Sequence, residues 1–288
     1  MKRKIFKTGI LYYLVGKLIK VLTETKGSNH GGRCLIERIP NNYGEYYLKH
    51  CSSSRIKKDQ SNFVYQHQPI YEAVTCEMAR KLGLETANFY ILLNLDKKLL
   101  FISEGGQKVD IKPFQPYYFA SEILVRSCNE DLKKAEKIIE EEKFYLDLLS
   151  ISDIIGKKHN YIYDSFSDQV IYLDLGCNFV DANDNHISLK THHKPPLNKK
   201  ERKKALNKFE KYEIITKRGN GHSLGLIEFL ESPKDMSILT MNPKENIRLN
   251  DLISQSEVNE ITERLIVSLY YRNQLKRNRE CPYLKKIK

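Results

Sequence analysis

The chain has 288 residues, 41% hydrophobic and 29% charged, with a net charge of +12. That length and apolar content exclude global disorder and fit one bilobal domain or two small ones. A pI near 9.2 predicts anionic partners, such as a nucleotide, nucleic acid, an inositol phosphate or an anionic membrane face. The six cysteines are scattered without a CxxC pair, which disfavours zinc and a disulfide framework and predicts free thiols in a reducing cytosol.

In chain order, Ile5 to Leu22 is amphipathic and interrupted by Lys7, Lys17 and Lys20, too polar to span a bilayer. No small-residue cleavage site follows the basic Met1-Lys2-Arg3-Lys4 start, so a secretory leader is not expected. Thr25 to Arg33 is a glycine-rich loop between the apolar runs Leu18 to Leu22 and Cys34 to Ile39. Its Gly27, Ser28, Gly31 and Gly32 would let backbone amides approach phosphate oxygens. An ordinary hairpin loop explains the same residues equally well. Gly44 to His50 reads as a strand with Lys49 near its end, within reach of phosphates if it is not simply solvated.

Ile70 to Gly83 reads as a helix, with Pro69 favouring its first turn and Gly83 capping its end. Ile70, Ala73, Val74, Cys76, Ala79 and Leu82 approximate one broad apolar face. Either Glu72 or Glu77 is a candidate partner for Lys49; Glu72 is preferred, since Glu77 reads equally as a surface charge. Strands are predicted at Phe89 to Leu95 and Leu99 to Ser103, with Glu104-Gly105-Gly106 as an inter-lobe hinge.

The second half reads as mostly helical, including Ser121 to Ser127, Asp131 to Ile151, Leu224 to Leu230 and Leu249 to Tyr271. Glu140, Glu141 and Glu142 are most simply a solvated face. From Ser152 to Gly176 an apolar helix end runs into a polar loop with Asp153 and Asn160, and a hairpin pattern delivers Asp174-Leu175-Gly176. Phosphoryl transfer from ATP needs one carboxylate to orient the acceptor hydroxyl, and an amide oxygen with a second carboxylate to hold the metal ions. Asp174 follows Asn160 by 14 positions, enough for two short strands and a turn. A strand ending in a turn is the plain alternative. Beyond it, Asn178 to Pro196 fits an activation-segment position, and His186, His192 and His193 read as loop histidines rather than metal ligands.

The order is glycine loop, strand lysine, helix glutamate, hinge, Asp/Asn loop and Asp-Leu-Gly. With Tyr71 to Ala87, which holds a Glu-bearing helix ending in Leu82-Gly83-Leu84, and with Gly156 to Asn160 followed by Asp174, the chain resembles the HipA-like branch of atypical kinases, related to the phosphatidylinositol 3/4-kinase fold. The resemblance spans roughly residues 20 to 180. The family's catalytic Asp precedes the Asn by five positions, where this chain has Ile155, and Asp153 is the only nearby acid. Short, divergent bacterial effector kinases vary in this loop, and the chain is similar to those.

The expectation is therefore an α+β, bilobal protein-kinase-like fold, with a small β-rich lobe over residues 1–104 and a mainly helical lobe over 105–288. ATP would sit at the hinge with Mg²⁺ or Mn²⁺, against Gly27, Ser28, Gly31, Gly32, Lys49 and Glu104. Asn160 and Asp174 would hold metal, Glu72 would orient Lys49, and Asp153 would orient the attacking hydroxyl. His159 is a further candidate phosphate contact. A protein Ser/Thr acceptor is preferred, then a lipid or inositol. A pseudokinase binding an anionic partner is the rival, and nucleic acid ranks third for want of an aromatic-plus-basic platform. A cytoplasmic location is expected, or a host cytosol for a secreted effector, with peripheral attachment to anionic membranes open. Lys199, Lys200, Arg202, Lys203 and Lys204, with Arg272 and Lys276, form two basic clusters that fit a regulatory polyanion such as an inositol polyphosphate or a phosphoinositide headgroup, or simply a solvated face.

Overall fold

The computed structural model describes residues 5–8, 12–14, 17–24, 31–39, 42–49, 64, 67–93, 102–104, 107–109, 117–125, 131–149, 151, 154, 157–175, 198–201, 203–204, 212–214, 238–240, 252–275 and 284–286. The fold mixes α and β and forms two compact units. The first takes Met1–Val74, Ala87–Val125 and Lys234–Ser254; the second takes Thr75–Thr86, Arg126–Pro233 and Gln255–Lys288.

The chain opens with β1 (Ile5–Thr8), β2 (Tyr12–Leu14) and β3 (Lys17–Glu24), then β4 (Gly31–Ile39) and β5 (Asn42–Lys49). Helix α1 (Gln68–Lys81) follows, then β6 (Glu85–Thr86), β7 (Phe89–Leu93), β8 (Ile102–Glu104), β9 (Gln107–Val109) and β10 (Tyr117–Glu122). Helix α2 (Leu132–Leu148) leads to a 3₁₀ turn (Lys158–Asn160), β11 (Tyr161–Asp164) and β12 (Gln169–Tyr172). The last elements are β13 (Tyr212–Ile214), β14 (Ile238–Thr240), α3 (Gln255–Leu275) and β15 (Leu284–Lys286).

The first unit is built on an eight-stranded sheet in the order β14-β1-β2-β7-β10-β5-β4-β3. Every neighbouring pair is antiparallel except β2 and β7. Within β5, Tyr46 and Leu48 are buried while Glu45 is exposed, the period-two pattern of a strand with one face on a core. Phe89 of β7 and Phe119 of β10 stack with ring centroids 5.6 Å apart and fill the centre of that core. Strand β10 joins β5 to β7, and its last two residues fall where the sequence suggested a helix at Ser121 to Ser127. Instead Ser121 and Glu122 end the strand and 123–125 are irregular. Gly105 and Gly106 of the expected hinge lie outside the described residues, and Glu104 lies within the first unit. It ends β8 opposite Gln107 of β9, and the chain stays in the first unit to Val125.

In the second unit α2 packs on α3 and on the β11–β12 hairpin. Asp131 caps α2, its carboxylate accepting from the Lys134 backbone N–H at 3.1 Å. The buried residues Ala135, Ile139, Glu142 and Leu146 trace one stripe of α2, so Glu142 is not part of the solvated face that Glu140 and Glu141 form. The unit also holds β6, β13 and β15, so its described part is less purely helical than expected. The proposed helix at Leu224 to Leu230 lies outside the described residues, and α3 starts at Gln255, later than Leu249.

Helix α1 is buried along every residue from Gln68 to Ala79 rather than on one face. It ends as Gly83 predicts. Gly83 has φ 87°, its N–H bonds the Arg80 carbonyl at 2.9 Å, and the Leu84 N–H bonds the Ala79 carbonyl at 3.0 Å. Burial of both faces forces the helix's charged groups to find partners. Glu77 lies 3.4 Å from the Arg80 guanidinium, yet burial outweighs that attraction and pushes its carboxyl up to about 7 from the usual 4.5. The folded protein thus keeps, between about pH 4.5 and 7, a proton that the unfolded chain has lost. Stability should fall as pH rises through this window, by on the order of 2–3 kcal/mol. Glu77→Gln should remove that loss, which urea denaturation of both proteins from pH 4 to 8 will measure as a difference that grows to pH 7 and then levels.

Candidate functional site

Two groups of the expected residues are assembled, one in each unit. In the first, β3 and β4 are the arms of a hairpin whose glycine-rich connection includes Gly27 and Ser28, both outside the described residues. Gly31 and Gly32 begin β4, opposite Lys49 and Leu48 of β5. The glycine end of the hairpin is therefore in register with Lys49, the last residue of its strand. On the other side of β5, Phe119 of β10 stands opposite Lys49.

The Lys49 ammonium donates to Glu72 Oε1 of α1 at 2.9 Å. It lies 5.6 Å from the Phe119 ring centroid and 5.9 Å from that of Tyr47. The side chains of Lys49 and Glu72 are 8% and 5% exposed, so this is a buried ion pair between a sheet and a helix. Water solvates neither charge well there; the pair partly offsets that loss, and the ring faces add to the offset for the ammonium alone. Of the two glutamates offered by the sequence, Glu72 is the one at Lys49, while Glu77 is turned to Arg80. Phe119 was missed, although the Tyr117-Tyr118-Phe119 run after Pro116 carries a strand signal. Glu104 sits in the β8–β9 hairpin, and nothing described joins it to Lys49. Burial pushes the Cys34 thiol of β4 up to about 12, which favours its protonated form.

The second group lies at the open end of the β11–β12 hairpin, where Tyr161 pairs with Tyr172 and Asp164 with Gln169. Asp164 closes the far turn by accepting from the Phe166 backbone N–H at 3.0 Å. At the open end the Asn160 carbonyl accepts from the Leu173 N–H at 2.9 Å, extending the ladder by one rung. Asn160, 3% exposed, and the half-buried Asp174 are thereby held at the same end of one hairpin. Lys157, Lys158 and His159 are exposed just before Asn160. Asp153 and Ile155 lie outside the described residues, between and beside the buried Ile151 and Ile154.

The donor set can be tested against the expected metal. Among the described residues no group of three or more His, Cys, Asp or Glu side chains could hold an ion. An all-protein cage is thus not formed by them. An amide oxygen and one carboxylate fit instead an ion of the Mg²⁺ type, which keeps waters and takes substrate phosphates as its remaining ligands.

Of the basic clusters, Lys199, Lys200, Lys203 and Lys204 are exposed on a helix capped by Asn198. Asn198 Oδ1 accepts from the Glu201 N–H at 2.9 Å, and Glu201 accepts from the Asn198 N–H at 3.0 Å. Arg202, Lys276 and the side chain of Arg272 lie outside the described residues, as do His186, His192 and His193. Among the described residues no helix is long and apolar enough to cross a membrane. Comparison with known proteins found no matching family model, no matching curated protein and no matching solved structure.

The Lys49–Glu72 pair makes a stability prediction. Lys49→Met leaves a carboxylate buried without its ion-pair partner and should cost about 3–5 kcal/mol. Lys49→Met combined with Glu72→Leu should recover most of that loss, as measured by urea denaturation of the single and double variants.

Proposed function

We propose that this chain is an ATP-dependent phosphotransferase with kinase-like, bilobal organisation, of the HipA-like and phosphatidylinositol-kinase-related kind that its motifs resemble. The observation that carries the reading is the buried ion pair between Lys49 and Glu72. Kinases place a phosphate-binding lysine on the third strand counted from the glycine loop and pair it with a helix glutamate. Here β3 and β4 flank the glycine-rich loop, β5 is the third strand, and α1 supplies the glutamate.

In this reading the Lys49 ammonium grips phosphate oxygens of ATP, and Glu72 fixes where that ammonium stands. Backbone amides of the Gly27 to Gly32 loop complete the phosphate contact. Asn160 and Asp174 hold Mg²⁺ or Mn²⁺, which when bound neutralises charge on the phosphates. Asp153 accepts a hydrogen bond from the acceptor hydroxyl and aligns it with the γ-phosphorus. The hydroxyl oxygen forms the new P–O bond, the bond to ADP breaks, and the hydroxyl proton leaves through Asp153. A protein Ser/Thr hydroxyl is the preferred acceptor, ahead of a lipid or inositol. The expected polyanion activator rests on the exposed lysines 199, 200, 203 and 204 alone.

The test is transfer of labelled γ-phosphate from ATP, to the protein itself and to a generic acceptor, with Mg²⁺ or Mn²⁺. Asp174→Asn and Lys49→Met should each lower turnover by at least about 100-fold, and together by little more than either alone, because residues serving one transition state are not additive. Wild-type turnover in Asp174→Asn would refute the metal assignment. Absence of turnover in a wild-type protein that still binds ATP would favour a pseudokinase, for which Ile155 in the usual place of the catalytic Asp is the motive.

A further inference from the structure

The strand that delivers Asp174 is gripped from three sides. On one side, β12 pairs with β11, so that Tyr172 stands opposite Tyr161, the residue after Asn160. On the other, β12 runs parallel to β6, with Tyr172 opposite Thr86 and Ile171 opposite Glu85. Thr86 is itself pinned, its Oγ1 accepting from Arg80 Nε at 2.6 Å and its carbonyl from the same guanidinium at 3.4 Å. From the helix layer, Glu142 of α2 accepts the Tyr172 hydroxyl hydrogen bond. Tyr172 is 1% exposed and Glu142 2%. Burial, together with the Glu142 carboxylate, holds the Tyr172 hydroxyl well above its usual range, so it stays protonated as a donor.

A carboxylate in the apolar stripe of α2 is a costly way to fill space. Ile139 and Leu146 flank it on the same stripe, and a leucine would pack there without desolvating a charge. What a leucine cannot do is fix the height and rotation of β12. A buried hydrogen bond to the ring tip does so, two residues before Asp174. We propose that Glu142 and Tyr172 are positioning residues that hold Asp174 and Asn160 in metal-binding geometry. The proposal rests on the metal assignment of the phosphotransferase reading, and it adds two residues that touch neither metal nor nucleotide.

The experiment is Mn²⁺ binding to the full chain with a non-hydrolysable ATP analogue, followed by the electron paramagnetic resonance signal of free Mn²⁺. Thermal stability of each variant is measured alongside. Tyr172→Phe should weaken Mn²⁺ affinity by about 10-fold, the low end of the loss seen when the support of a metal ligand is removed. Glu142→Gln, which keeps an acceptor oxygen, should stay near wild type. Tyr172→Phe with Glu142→Leu should regain thermal stability by apolar packing and still bind Mn²⁺ weakly. Affinity that recovers with stability in this double variant would reduce the pair to a packing role and overturn the proposal. Asp174→Asn separates the two claims. If it weakens Mn²⁺ binding while Tyr172→Phe does not, the positioning role fails and the metal assignment stands. If Asp174→Asn binds Mn²⁺ as wild type does, both fail.

Discussion

The buried ion pair of Lys49 and Glu72 is the constraint around which the first unit is organised. A lysine at the end of a central strand and a glutamate on a fully buried helix are each expensive alone, and the sheet and helix must meet to join them. Their meeting fixes α1 against β5 in both position and rotation. It also explains the surroundings. Gly31 beside Lys49 adds no side chain over the ammonium, while Phe119 and Tyr47 offer it ring faces. A pair of this kind contributes less to net stability than apolar side chains of the same volume would. In the phosphotransferase reading, phosphate binding sets a demand on where the ammonium stands, which a well-packed apolar pair could not meet.

The second unit follows a similar rule with a different pair. The Tyr172–Glu142 hydrogen bond joins a strand to a helix through an apolar interior, and Arg80 ties β6 to the end of α1 through Thr86. In both units a polar contact sits where an apolar one would suffice for packing, at or beside residues to which the proposed function gives the chemistry.

Some of this was legible from local signals. Gly83 announced the end of α1 because only a left-handed residue closes that turn at little cost. Asn160 and Asp174 announced a hairpin because the intervening segment alternates and turns within its own length. Lys49 and Glu72 were paired from their order along the chain, although the contact itself spans 23 positions. Strand β10 was not recognised, because its partners β5 and β7 are distant in sequence and Ser121-Glu122-Ile123-Leu124 carries helix formers. The amphipathic start proved to be strands β1 to β3, and β1 and β2 also pair with β14 and β7, which are distant in sequence and leave no local signal. Glu142 was misassigned from its acidic neighbours, although its spacing from Ala135, Ile139 and Leu146 puts it on the buried stripe. Glu77 was left open between a partner of Lys49 and a surface charge, because the one-face pattern of α1 did not disclose that both faces are covered.

Whether Lys49 stands at the nucleotide phosphates, as the proposed function requires, is decided by an amine-reactive acyl phosphate of ATP. The neutral amine of a lysine held beside the phosphates takes the acyl group as an amide, the acyl–phosphate bond breaks and ATP leaves, and the modified lysine is read by peptide mass spectrometry. Preferential labelling of Lys49, suppressed by excess ATP with Mg²⁺ and absent from surface positions such as Lys199 and Lys203, is the predicted result. Labelling spread over exposed lysines, with none at Lys49 and no protection by ATP, would contradict it.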